Sequence, residues 1–261
     1  MIEEHQIRAL HVEALDHDDL PAEHGGPHVL FQTSTLAALL DGAYEGDLTL
    51  GELVAHGDLG LGTTNGLDGE LIVLDGRCLR ADADGDLTEL DPGVKTPFAV
   101  VAPFQPTIEA QLEGPLDFTG LAERLDGLME GDAPSCAVRI EGRFQRLIAR
   151  SVPRQEPPYK PLADVVAAQV TFELGPVEGT AMGFRFPDYA QGLELGGWHL
   201  HFADSKLERG GHILDLELTD ATVQIDPSSE VHAEMPPGVE LGSVEADEGL
   251  KDLIDSVERS G

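Results

Sequence analysis

The chain has 261 residues, of which 49 are Asp or Glu and 16 are Lys or Arg, for a formal net charge of −33. A polyanion of this size repels nucleic acid and anionic membranes, which excludes both as expected partners. Hydrophobic residues make up 41% of the chain, enough for one large unit or two tightly joined ones. The acid is spread along the whole chain, and lysine occurs at four positions, Lys95, Lys160, Lys206 and Lys251. This pattern suggests a folded protein with an acidic, hydrated, halophile-like surface. The two cysteines, Cys78 and Cys136, form no CxxC pair and imply no disulfide framework. The first residues lack the basic and apolar runs of a secretory signal. No stretch approaches the roughly 20 apolar residues of a membrane span, so the expected location is the cytoplasm.

Residues 1–27 read as an acidic extension, with a strand or short helix at "IRALHVEAL". His5, His11, His17, His24 and His28 lie in or beside it, and a solvated role is expected for them. "TSTLAALLDG" predicts a helix capped by Ser34 or Thr35, with Leu36, Leu39 and Leu40 on one stripe and Gly42 as the stop. "TLGELVAHGD" predicts a second short helix from Thr49 to Gly57, and His56 in its last turn suits the helix dipole. Turn signals at Asn65-Gly66, Asp68-Gly69, Asp75-Gly76 and Asp84-Gly85 punctuate Val, Ile and Leu runs, which predicts a meander of short antiparallel strands. "DADGD" resembles a calcium loop faintly, but lacks the later Glu, so a hairpin turn is expected.

"TPFAVVAPF" predicts a buried strand, "PLDFTGLAERLDGLM" a helix capped by Thr119, and "CAVRIEGRFQRLIARSVP" a long strand. The proline-rich "PPYKPL" suggests a joint between an N-terminal half, 28–158, and a C-terminal half, 159–261. Gly-marked strands follow, and "EGLKDLIDSVERSG" predicts a closing helix with Leu250, Leu253, Ile254 and Val257 on one stripe. The class is mixed α and β, with mainly antiparallel pairing.

Three histidines fall within fourteen residues in "GWHLHFADSKLERGGH". On a strand, His199 and His201 point to one face, and a hairpin turn through "ADSKLERGG" returns His212 beside them. Three imidazoles on a rigid face with further positions open form a metal site suited to zinc, with manganese, iron, nickel and cobalt also compatible. Such a metal is usually catalytic. In the long strand, alternation places Val138, Ile140, Phe144 and Ile148 on one face together with Arg146 and Arg150. Pattern alone favours a bulge or strand end that lets each arginine reach solvent. Glu70 shares a face with Ile72 and Leu74, either at a solvated strand mouth or in a site. Glu258, on the edge of the last helix's stripe, reads as a solvated glutamate.

Taken together, "TSTLAALLDGAYEGDLTLGELVAHGDLGLGT", "NGLDGELIVLDG", "KTPFAVV", "IEGRF" with "RSVPRQEPPYKPL", and "GWHLHF" with "GGHILDLEL" resemble the alpha-acetolactate decarboxylase family from about Phe31 to the end. The resemblance implies a carboxy-lyase that converts (S)-2-acetolactate to (R)-acetoin and CO₂ through a metal-chelated enediolate. It implies Zn²⁺ on His199, His201 and His212, an essential Arg150, two glutamates at Glu70 and Glu258, and Thr63 near the pocket. It also implies a larger mixed sheet extending into a smaller one, a metal cleft between them, and a homodimer. Thr64 departs from the pattern, standing where an aromatic is expected, and residues before His28 have no counterpart. The rival readings are a cupin-like dioxygenase and a non-catalytic metal-binding protein. If the acidic surface is salt-adapted, the melting temperature rises from low to molar KCl; a flat curve rules that adaptation out.

Overall fold

The computed structural model describes residues 9–13, 27–129, 135–190 and 193–235. The expected closing helix, Glu258 on it, and His5, His17 and His24 lie outside the described residues. Among the described residues, no helix is long and apolar enough to cross a membrane.

Two sheets organise the chain. The larger runs in the order β1 (Ala9–Glu13), β14 (Glu230–Glu234), β2 (Val29–Thr33), β7 (Phe98–Ala102), β3 (Leu59–Thr63), β4 (Glu70–Leu74), β5 (Arg77–Ala81), β6 (Leu87–Glu89). It is mixed: β14 lies parallel to both β1 and β2, and the other pairs are antiparallel. The smaller is antiparallel, in the order β10 (Val170–Leu174), β9 (Ser135–Ser151), β11 (Val177–Phe186), β12 (Gly197–Asp204), β13 (Gly210–Ser228), β8 (Ile108–Asp117). Each sheet draws on strands from both sides of residue 159.

The larger sheet is covered on both faces, which explains why its strands are nearly continuous apolar runs. Every residue of β3, β4 and β7 is buried. One face, with Leu61, Ile72 and Val100, packs against Met182 and Phe184 of the smaller sheet. The other, with Leu71, Val73 and Val101, is covered by Leu50 and Leu53 of helix α2 (Leu50–His56). β13 pairs with β9 as well as with β12, so β9, β11, β12 and β13 form a closed ring. Ile140, Phe144, Phe202 and Val223 share a core there with Leu121 and Leu125 of helix α3 (Phe118–Leu128). Phe144 and Phe202 meet edge to face at 5.3 Å, the geometry the ring quadrupole favours.

Local chemistry sets the element ends. Helix α1 (Leu36–Leu40) is capped by Thr35, whose hydroxyl accepts from Ala38 N–H. Thr49 and Glu52 form a reciprocal capping box on α2. The expected Thr119 cap is corrected: Asp117 caps α3 by accepting from Gly120 N–H at 2.7 Å, because a carboxylate two residues earlier reaches that donor. The meander is present as consecutive neighbours β3 to β6. Asp75 and Gly76 both have positive φ, 52° and 74°, as a tight hairpin between β4 and β5 requires. In "DADGD", Asp82 accepts from the N–H groups of Asp84 and Asp86 and so shapes a turn. "LADVV" and "VTFEL" form helix α4 (Leu162–Val166) and β10.

Candidate metal centre and active site

The histidine hairpin has the expected register. His201 lies opposite His212, and Ala203 opposite Gly210. Trp198, Leu200 and Phe202 point into the ring core, so His199 and His201 point the other way, toward the larger sheet. The turn is closed by Asp204, whose carboxylate accepts from the N–H groups of Glu208 and Arg209. All three histidines are buried, and one ligand nitrogen from each lies within 4.8 Å of the others. Ring centroids are 4.9 to 5.3 Å apart.

Two of the rings are oriented from behind. His201 Nδ1 is 2.9 Å from the carbonyl oxygen of Leu71 in β4. A carbonyl only accepts, so Nδ1 carries the proton and Nε2 carries the lone pair. His199 Nδ1 is 3.1 Å from Glu194 Oε1, which fixes the same tautomer. His201 Nε2 is buried without a hydrogen-bond partner among the described residues, with Glu70 Oε2 3.6 Å away. Burial, and after it the charges of His199 and Arg150, hold His201 well below the ordinary histidine range, against the Leu71 hydrogen bond that opposes the shift. A neutral imidazole with a buried, unshared lone pair is the form that ligates a metal. The residues present therefore fit a divalent ion, which His199, His201 and His212 would hold through one ring nitrogen each.

Arg150 arrives by a route that strand alternation misreads. Phe144 points into the ring core, whereas Ile148 and Arg150 point away from it. Opposite β13, Arg146 pairs with Glu217 and Phe144 with Leu218, so Gln145 is an extra residue in β9. This bulge inverts the alternation. Leu147 and Ala149 take over the core positions, and the even-numbered residues turn outward. Arg146 then reaches solvent and pairs with Asp215, its side chain 39% exposed. Arg150 turns the same way but meets the larger sheet instead of water, and its residue is 5% exposed. Its Nη1 donates to Glu70 Oε1 at 3.2 Å.

Glu70, Arg150, His199, His201, His212 and Thr63 line one cleft. Thr63 lies opposite Glu70 in the β3–β4 pair and donates its hydroxyl to Gly69 O at 2.8 Å. Leu36, Leu39, Leu67, Phe98, Val152 and Leu162 form an apolar wall. A pocket with an apolar wall, a cation, a carboxylate and three imidazoles that could hold a metal suits a small oxygen-rich acid. Glu194 went unnoticed in the sequence. Its one signal there is a charge flanked by leucines in "GLELGG", a pattern that also describes a solvated turn.

A sequence model described as alpha-acetolactate decarboxylase matches residues 30–244. The chain is 42% identical over 232 residues to an alpha-acetolactate decarboxylase of Methylococcus capsulatus, spanning 89% of this chain and 86% of that protein. To one from Methanosarcina mazei it is 38% identical over 231 residues, 88% and 80% of the two chains. The crystal structure of alpha-acetolactate decarboxylase from Bacillus subtilis strain 168 superposes with a TM-score of 0.83 at 33% identity, covering 89% of this chain and 100% of that one.

Gly183 lies beside the triad, where β11 meets β12. A Cβ there would fall 1.9 Å from the carbonyl oxygen of His199, a backbone atom that cannot move without carrying its side chain. Gly183→Ala is expected to cost about 1–3 kcal/mol in chemical denaturation, as overpacking does, and to weaken uptake of a divalent ion. Unchanged stability and unchanged uptake contradict the close approach.

Proposed function

The chain belongs to the alpha-acetolactate decarboxylase family, and on that premise we propose that it converts (S)-2-acetolactate to (R)-acetoin and CO₂. The observation that carries the proposal is the convergence of His199, His201 and His212 with the Glu70–Arg150 pair on one buried cleft. The three histidines would hold a divalent metal, zinc in the first place. When bound, the ion supplies Lewis acidity toward the adjacent keto and hydroxyl oxygens of the substrate.

The chain's own residues do the rest. Arg150 offers a planar, permanently charged fork to the carboxylate that leaves as CO₂. As the C–C bond breaks, its electron pair passes to the neighbouring carbonyl and generates an enediolate. The guanidinium, held in place by Glu70, lies where it offsets that developing charge. Protonation at carbon on the face turned to Glu70 and Arg150 then gives a single enantiomer. The leucine, valine and phenylalanine wall takes the methyl groups and keeps bulk water off the carbanionic carbon. Thr63 shapes the floor beside Glu70. Glu258, outside the described residues, is proposed as the second active-site glutamate. The cupin-like dioxygenase and non-catalytic readings are not favoured. We further propose a cytoplasmic homodimer with a salt-adapted acidic surface.

Incubation with acetolactate, following acetoin and CO₂, is expected to show turnover that a chelator abolishes and a divalent metal restores. His199→Ala is expected to lose metal and activity together, and turnover by the metal-free variant refutes the metal's role. Arg150→Ala is expected to retain metal and lose turnover by about 10²–10³, the scale seen when one charge-stabilising donor is removed. A near-native rate removes Arg150 from the mechanism.

A further inference from the structure

We propose that Glu194 is a positioning residue of the histidine centre: its carboxylate fixes the His199 ring and makes His199 a stronger metal donor than His201. The inference rests on the reading of the triad as a metal centre.

Glu194 is 1% exposed, a carboxylate almost wholly removed from water five residues before the histidine it touches. Burying such a charge is costly unless something compensates it. Glu194 Oε1 accepts from His199 Nδ1 at 3.1 Å, which leaves the Nε2 lone pair of that ring for a metal. His201 has the same arrangement, but its acceptor is the neutral carbonyl of Leu71 at 2.9 Å. A carboxylate draws the Nδ1 proton more strongly than a carbonyl and leaves more electron density on Nε2. It also places a full negative charge one ring away from a dication in a region of low dielectric, where that attraction is poorly screened.

The backbone that carries Glu194 is held by a cradle that reaches across from the larger sheet. The carbonyl oxygen of Leu193 accepts from Gln32 Nε2 at 2.7 Å and from Leu36 N–H at 3.0 Å. Gln32 is 0% exposed, and the same Nε2 donates to Ser34 O at 3.0 Å. Glu194 N–H donates to Ala190 O at 3.2 Å. The peptide unit that joins Leu193 to Glu194 is thus tied down at both its carbonyl and its N–H, so the Glu194 side chain leaves an anchored backbone to meet His199. A loop glutamate in a solvated turn would not need a buried glutamine from another sheet to anchor the residue before it.

Glu194→Gln separates charge from shape, since the amide oxygen still accepts from Nδ1 and the side chain keeps its size. The test uses the full chain, stripped of metal and titrated with Co²⁺ against a competing chelator, with the visible spectrum of the Co²⁺ form as a second readout. Wild type is expected to bind one ion per chain. Glu194→Gln is expected to bind about 10- to 100-fold more weakly, the range for loss of such a supporting group, with shifted Co²⁺ bands and an unchanged melting curve for the metal-free protein. Glu194→Ala, which also frees the ring, is expected to be weaker still. If Glu194→Ala fails to fold, the isosteric variant decides. Equal Co²⁺ affinity and spectrum in wild type and Glu194→Gln overturn the inference while leaving the metal centre standing. A lowered melting temperature of metal-free Glu194→Gln with unchanged affinity makes Glu194 structural and overturns it too. Wild type that takes up no Co²⁺ overturns the metal reading and this inference with it.

Discussion

The buried contact between Glu70 and Arg150 ties the site to the fold. One partner sits on the larger sheet and the other on the smaller, and each is less than a tenth exposed. A lone ionised group at that depth costs several kcal/mol, so each charge is tolerable only where the opposite sheet supplies its counterpart. The pair therefore constrains how the two sheets meet. Leu71, the residue after Glu70, uses its carbonyl to orient His201, so the same short stretch of β4 sets both the charge pair and one ring of the histidine cluster.

This arrangement separates two kinds of burial. The ring core around Phe144 and Phe202 is dry and apolar and keeps β9, β11, β12 and β13 rigid. The opposite face of the same strands carries the imidazoles and the guanidinium into the space between the sheets. Rigid strands hold ligands more precisely than loops, which matters when three nitrogens must converge on one point. Burial also keeps His201 neutral, so the environment that excludes water prepares the imidazole to ligate.

The histidine hairpin was the most legible part of the sequence. The two-residue spacing of His199 and His201 and the Gly210-Gly211 pair before His212 are local signals, and strand geometry turns them directly into a shared face. The caps at Thr35 and Thr49, the turn at Asp75-Gly76 and the buried run of β7 were local in the same way. Arg150 was not, because the single extra residue at Gln145 inverts the alternation of β9, and nothing in "GRFQRLIARS" marks it. Arg146 and Arg150 read alike in one dimension; the larger sheet covers one and leaves the other in water. Glu70 was ambiguous for a similar reason, since a strand-mouth carboxylate looks the same whether solvent or an arginine faces it. The family resemblance singled out both, and the geometry buries them against each other.

The sequence alone determined which segments become strands and helices, which residues turn the chain, and that three imidazoles share one face, because propensity, period and spacing act over a few residues. Tertiary structure decided which charges are buried together. It brought Glu70 against Arg150 across 80 residues and Gln32 to Leu193 across 161. It also set Glu194 behind His199 and moved Arg150 to the histidine face through one bulge. The physical reason is that burial and charge pairing depend on what lies opposite in space, and that partner comes from another sheet.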